Sequence, residues 1–250
     1  MISALEKEIT FRFLKARKKD GFLNVISIFS FIGISLGVAV LIIVMSVMNG
    51  FRTELINKIV GFNSHITVKS YDNVINQKKL NSKSLKLISK NIIFSNSGEA
   101  IILKNKTSKG IVLRGYKGND FSDLEIIKNK KFKGDKSFYK NSISIGNELS
   151  FALDIQIGDE ITLMSPSSVD PIIGSIPKQK TFIITSIFNS GLADFDNNIA
   201  FINLETLENF FGYGAKDRNL EIYLKKPNNI ESQKLIVQKI FSEELVYSWA

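Results

Sequence analysis

His65 is the sole histidine of this 250-residue sequence, and cysteine is absent. The lack of thiols removes disulfides, thiolate metal sites and cysteine nucleophiles. A metal ion needs several converging ligands, and His65 has neither a second imidazole nor an acidic cluster beside it. A Ser-His-Asp triad would have to be built on His65 itself, and nothing flanking it supports one. His65 is therefore expected to be a surface residue at the start of a strand. The run "GIVLRGYKG" (Gly110 to Gly118) approaches a phosphate-binding loop. Tyr116 stands where lysine must follow the glycine, however, and no Ser or Thr follows Lys117, so the P-loop mechanism is excluded. No enzyme activity, metal or cofactor is expected.

A second concentration of unusual residues is "SPSSVDPIIGSIPKQKTF", from Ser165 to Phe182. It holds Pro166, Pro171 and Pro177, three of the four prolines in the chain. Proline fixes φ and cannot donate to a ladder, so these residues keep a long hairpin from pairing further or aggregating at its edge. They also reduce the entropy lost when a partner docks. Val169, Ile172, Ile173 and Ile176 would supply apolar contact. An ordinary proline-rich loop has the same composition, and the residues alone leave both readings open.

These residues are positioned by two kinds of element. From Gly21 to Phe51 no residue is charged. The apolar stretch Ile26–Met48 makes a helix of about 35 Å, against a bilayer core of about 30 Å. It is too long and too uniformly apolar for a signal peptide or a buried soluble helix, so a retained transmembrane helix is expected over 21–50. Lys7, Arg12, Lys15, Arg17, Lys18 and Lys19 precede it, and only Arg52 and Lys58 closely follow. The positive-inside rule then puts residues 1–20 in the cytoplasm and residues 51–250 on the far side. Leu5, Ile9, Phe13 and Leu14 recur at helical spacing among basic residues. The first segment either lies along the inner membrane surface or is a simple charged flank. Gly33 and Gly37 form a G-x-x-x-G pair that lets another helix approach closely.

Beyond the span, "FRTELINKIVGF" continues the helical periodicity. The remainder mixes the two periods. Strands are expected at "HITVKS", "EAIILKN", "KGIVLRGY", "SISIG", "GDEITLMS", "TFIITSIFN", "NIAFIN", "LEIYLKK" and "ELVYSW". Helices are expected at "LNSKSLKLISKN", after Gly146, at "LETLENFFG" and at "NIESQKLIVQKIF". The order gives an α+β class without repeats or a clear internal linker. The net charge of +9 comes mostly from lysine. No arginine-rich, base-stacking module accompanies it, so nucleic-acid binding is not expected.

Several stretches together resemble a known family. "IGISLGV" and "SVMNGFRTEL" are similar to the opening of LolC/LolE-type lipoprotein-releasing permeases, within the MacB/FtsX-like class of ABC transporter membrane subunits. "VLRGY", "SISIGNELSFALDIQIGDEITLMSP", "IPKQKTFIITSIFNSGLADFDNNIAFINLETLENFF" and the final "YSW" follow in that family's order. The resemblance implies one long N-terminal transmembrane helix followed by a mixed α+β periplasmic domain of MacB type, in a bacterial inner membrane. It also implies three further membrane helices beyond Ala250, so the sequence is expected to be a fragment or a truncated product. The implied partners are a LolD-like ABC ATPase subunit that hydrolyses ATP, a LolA-like periplasmic lipoprotein carrier, lipoprotein substrates, and a second permease copy or paralogue. A hook hairpin at about 165–180 would capture the carrier through Pro166, Pro171, Ile172, Ile173 and Pro177. Gln179 and Lys180 match a carrier-binding polar patch, and Thr162 stands where the family pattern has an arginine. Val40, Ile43, Val44, Val47 and Met48 match a surface that faces lipid acyl chains. The alternatives are a MacB/FtsX-type mechanotransmitting permease and a single-span membrane-anchored interaction protein.

Overall fold

A computed structural model describes residues 4–14, 21–71, 73–104, 107–128, 130–137, 139–168, 177–226 and 230–248. The chain divides into two compact units, Met1–Ile56 and Asn57–Ala250. The first holds α1 (Ala4–Leu14) and most of α2 (Gly21–Phe62). Over Val25–Arg52, α2 is long and apolar enough to cross a membrane, and that stretch is not buried by protein. Water does not tolerate such a surface, whereas a bilayer does.

The second unit is built on ten strands. In chain order they are β1 (Ile66–Lys69), β2 (Ser89–Lys104), β3 (Thr107–Tyr116), β4 (Lys133–Gly134), β5 (Ser142–Gly146), β6 (Glu160–Ser168), β7 (Pro177–Phe188), β8 (Ile199–Asn203), β9 (Asn219–Leu224) and β10 (Leu245–Ser248). Six of them close on themselves: β2 pairs β3, then β8, β5, β7 and β6 follow, and β6 returns to β2. The interior of this ring follows from strand alternation, in which every second side chain points inward. Ile102, Leu113, Ile143, Leu163, Phe182 and Ile202 fill it, all fully or almost fully buried. Each such side chain contributes roughly 1.5–3 kcal/mol.

Helices α6 (Asn147–Leu153) and α8 (Leu204–Phe211) add Leu149, Leu207 and Phe210 to that core. The amphipathic α8 is held at both ends. The Asn203 side chain accepts from the backbone N–H of Glu205 at 2.9 Å and of Thr206 at 3.3 Å. Gly212 ends the helix at φ 75°, a left-handed conformation that costs glycine nothing.

β2 is long enough to serve two structures. Its first half leaves the barrel and pairs β9, which pairs β1, which pairs β10. Ile66, Val68, Leu220, Ile222 and Val246 pack one face of this extension against α3 (Lys83–Ile88) and α9 (Ile230–Ile240). On the opposite face Ile93, Tyr116 and Phe201 pack with Phe121 and Ile127 of α4 (Gly118–Asp123) and α5 (Glu125–Lys128). Neither short helix, nor α7 (Ala193–Asn198), is evident from hydrophobic period.

One expected helix is corrected. The "LNSKSLKLISKN" helix ends at Ile88, and Ser89 begins β2. Ile92 and Phe94 face one apolar cluster while Ile93 faces another. A strand covered on both faces reads as a continuous apolar run rather than an alternating one, which hides its period. His65 is also corrected: it is buried rather than at the surface, at 7% exposure. Its Nδ1 accepts from the backbone N–H of Leu224 at 3.0 Å, and its ring meets Tyr223 edge-on.

Candidate functional site

The proline-rich segment is mounted on the barrel wall. β6 and β7 form an antiparallel hairpin in which Thr162 opposes Thr181, Leu163 opposes Lys180 and Met164 opposes Gln179. The ladder slips between Met164 and Ser168, and its last pair joins Ser168 to Pro177. Pro177 has no N–H to donate, so it suits the last rung of a ladder. Pro171, Ile172 and Ile173 lie outside the described residues, as does the side chain of Pro166.

Alternation separates Gln179 and Lys180, the two residues expected to form a polar patch. Lys180 shares the face of Leu163 and Phe182, its ammonium 5.2 Å from the Phe182 ring centroid. Gln179 lies on the outer face, where its Nε2 contacts Met164 Sδ at 3.9 Å. The Lys180 ammonium is pushed below its ordinary pKa by burial first, then by Lys178 and Lys140. Two lysines of the stem, Lys178 and Lys180, and Lys140 just before β5 therefore lie close enough to repel one another, which favours an anionic group beside them. Thr162 and Thr181 face each other across the strands at 3.4 Å between hydroxyl oxygens.

On α2, Val40, Ile43, Val44, Val47 and Met48 are all exposed. A methyl group built at Gly33 or Gly37 would meet nothing within 4 Å, so this strip of the helix is free for close approach. Gly33, Ser35 and Gly37 also spell Gly-x-Ser-x-Gly, but in mid-helix. A nucleophile elbow requires a strand-to-helix turn.

A further cluster has no counterpart in the sequence reading. Glu221 of β9 is buried, and its Oε1 accepts from Arg114 Nη2 at 2.9 Å, Ser95 Oγ at 2.6 Å and the Tyr116 hydroxyl at 3.1 Å. Its Oε2 accepts from the Tyr223 hydroxyl at 3.0 Å. Arg114 Nη1 donates to Asn63 Oδ1 at 3.0 Å, immediately after α2 ends. Burial opposes the charge on Arg114, but Tyr116, Glu221 and Tyr223 more than offset it, and the guanidinium stays protonated. Burial raises both tyrosines well above their ordinary range. The cluster borders a cleft of about 390 Å³ that Asn63, Thr67, Ser97, Asn219 and Tyr247 also line. The available signal is a lone charge in each of two apolar strands, "NLEIYL" and "IVLRGY". Only the strand register shows that the two charges meet.

Among the described residues no group of histidines and carboxylates is arranged to hold a metal ion. Residues 27–237 match the MacB-like periplasmic core domain. The chain belongs to that family. Within it, the chain is 27% identical over 215 residues to the lipoprotein-releasing system transmembrane protein LolC of Xylella fastidiosa (strain Temecula1), covering 83% of this chain and 51% of that protein. It is 31% identical over 244 residues to LolC of Buchnera aphidicola subsp. Acyrthosiphon pisum, covering 93% and 59%. The chain thus spans about half the length of these curated relatives. A solved structure of the periplasmic region of MacB from Actinobacillus actinomycetemcomitans aligns with 78% of this chain and 94% of its own, at 10% identity and a TM-score of 0.48. The family match and the LolC relatives bear out the resemblance read from the sequence, and the MacB-type α+β class with it.

Proposed function

We propose that this MacB-family chain is part of the membrane subunit of an ABC transporter. That transporter extracts lipoproteins from a bacterial inner membrane and passes them to a soluble periplasmic carrier. The observation that carries the reading is the hairpin β6–β7, which lies within the segment aligned with LolC relatives and holds Pro166 and Pro177 near the far ends of its two strands. α2 spans the membrane with its N-terminus in the cytoplasm, as the lysine and arginine bias dictates. Val40, Ile43, Val44, Val47 and Met48 offer an apolar wall to acyl chains. Gly33 and Gly37 seat another membrane helix, from a second copy or a paralogue. ATP is hydrolysed on a separate subunit, and its work reaches the periplasmic domain through the membrane helices.

In the hairpin, Pro166, Pro171, Ile172, Ile173 and Pro177 form the carrier-binding hook. Gln179 addresses the carrier from the outer face and Lys180 from the side of Lys178 and Lys140. The test is retention of a purified carrier by the full chain in lipid nanodiscs. Wild type should bind it, and Ile172→Asp should weaken binding at least about tenfold, the effect of losing a central apolar anchor. A wild-type chain that retains no carrier would overturn the reading and leave a mechanotransmitting permease of MacB type.

A further inference from the structure

α2 ends at Phe62, within the second unit, and β1 begins at Ile66. Each residue between them is tied to the sheet. Asn63 Oδ1 accepts from Arg114 Nη1 of β3 at 3.0 Å. Ser64 Oγ and Thr67 Oγ1 of β1 share a hydrogen bond at 2.8 Å. His65 donates its backbone N–H to the Ile222 carbonyl of β9 at 3.1 Å, and its ring accepts from the Leu224 N–H. The bonds of Ser64 and His65 hold the start of β1. Asn63 is then the residue on which α2 would swing, since hinges form where an element-terminal residue absorbs a change in φ and ψ.

Asparagine at a helix end often serves as a left-handed cap. Among the described residues Asp154 is the non-glycine residue with positive φ, so Asn63 does not close α2 in that way. Its side chain receives Arg114 instead. The guanidinium is a rigid planar fork. Its Nη2 is fixed by Glu221 of β9, whose side chain is 6% exposed. Its Nη1 is therefore presented at a set point, where Asn63 meets it through a charge-assisted bond, stronger than a neutral one. Strand register continues the connection. Arg114 opposes Ser97 on β2, and further along β2 Ile101 opposes Met164 of the hairpin strand β6.

We infer that Arg114 is the latch of a rigid joint at the end of α2. One arm of its fork is anchored on Glu221 and the other holds Asn63, so the last turn of α2 and the sheet move as one piece. Movement of that turn passes through β3 and β2 to the stem of β6–β7. The joint rests on geometry, and what it transmits rests on the membrane-subunit reading. Arg114 here is a positioning residue that touches no substrate.

The test uses the full chain in nanodiscs. The sequence has no cysteine, so a pair of introduced ones can carry spin labels without background. Lys58→Cys on α2 and Thr181→Cys on the stem report the joint through the width of their distance distribution. Lys69→Cys with Thr181→Cys reports the sheet itself. The first pair should give a narrow distribution. Asn63→Ala should broaden it at least about twofold, with the melting temperature and the second pair unchanged. Asn63→Asp keeps the acceptor and should restore the narrow distribution. If Asn63→Ala does not fold, Arg114→Lys serves in its place: it keeps a cation beside Glu221, but a single nitrogen cannot reach both acceptors, and the same broadening is expected. A first pair that is broad in the wild type, or unchanged in these variants, overturns the latch. So does broadening that Asn63→Asp fails to reverse, or that the second pair shares. Carrier retention is measured on the same samples and should be equal in wild type and Asn63→Ala. A wild type that retains no carrier overturns the lipoprotein reading and leaves the joint standing.

Discussion

β2 belongs to two assemblies that are held together differently. Around its second half, six strands close over an interior of Ile, Leu, Phe and Ala. Around its first half, the extension β9–β1–β10 has an apolar back, but its front is joined by Glu221, Arg114, Ser95, Tyr116 and Tyr223. The barrel depends on shape, and the extension depends partly on electrostatics. Shape is indifferent to pH and salt, whereas buried charges and an imidazole are not. Features that respond to the surroundings therefore concentrate where α2 hands over to the sheet, and the hairpin rides on the part that responds least.

The contrast can be attacked from the barrel side first. Phe182→Ala removes a fully buried ring from the interior and should cost about 3–5 kcal/mol, read as a drop in the denaturation midpoint of the full chain. Arg114→Ala comes next. It leaves Glu221 buried without its cation and should cost about 3 kcal/mol, the lower end of what a broken buried pair costs, since 13% of the Arg114 side chain is still exposed. The double variant Arg114→Leu with Glu221→Leu sharpens the point. It should recover most of that loss, because replacing both charges removes their desolvation penalty. If it is no better than Arg114→Ala, packing rather than charge governs the extension too.

Smaller effects follow. Asn203→Ala takes away the cap of α8, which helps close the barrel, and should cost about 1 kcal/mol without changing any pH dependence. The pH effect belongs to the extension. Burial, and secondarily Lys90, holds the His65 pKa below its ordinary 6.5. The unfolded chain therefore binds a proton before the folded one does. The stability associated with neutral His65 is complete above about pH 6.5 and is lost as pH falls through the window beneath it. Thermal melts at pH 7.5 and 5.5 should show a lower midpoint at 5.5, and His65→Gln should flatten that difference.

The parts of this fold that could be read in the sequence are those whose period is exposed. α2 declares itself by thirty-one uncharged residues, and the hairpin stems at "GDEITLMS" and "TFIITSIFN" by alternation between core and solvent. "NIIF" was unreadable because both faces of β2 are covered there, which leaves no polar phase to mark the strand. The family resemblance implies a hook at 165–180, while strand geometry alone divides Gln179 from Lys180. The Arg114–Glu221 pair was invisible for a different reason. Its members lie 107 residues apart, and no local pattern announces a contact that exists only through the order β9–β2–β3. His65 misled for a related reason: a lone polar residue at a strand start looks solvated until its partner, the Leu224 amide, is brought to it by that same pairing.

The closed ring of strands has a mechanical meaning. A free-standing hairpin bends at its base when its tip is pulled. The stem of β6–β7 is laced on both sides, β6 to β2 and β7 to β5, so a tug at the tip is shared around the whole hoop. Bending the base would require several ladders to shear at once. The stem thus behaves like a peg set in a barrel hoop rather than a fishing line, and a load on it would reach the barrel almost without slack.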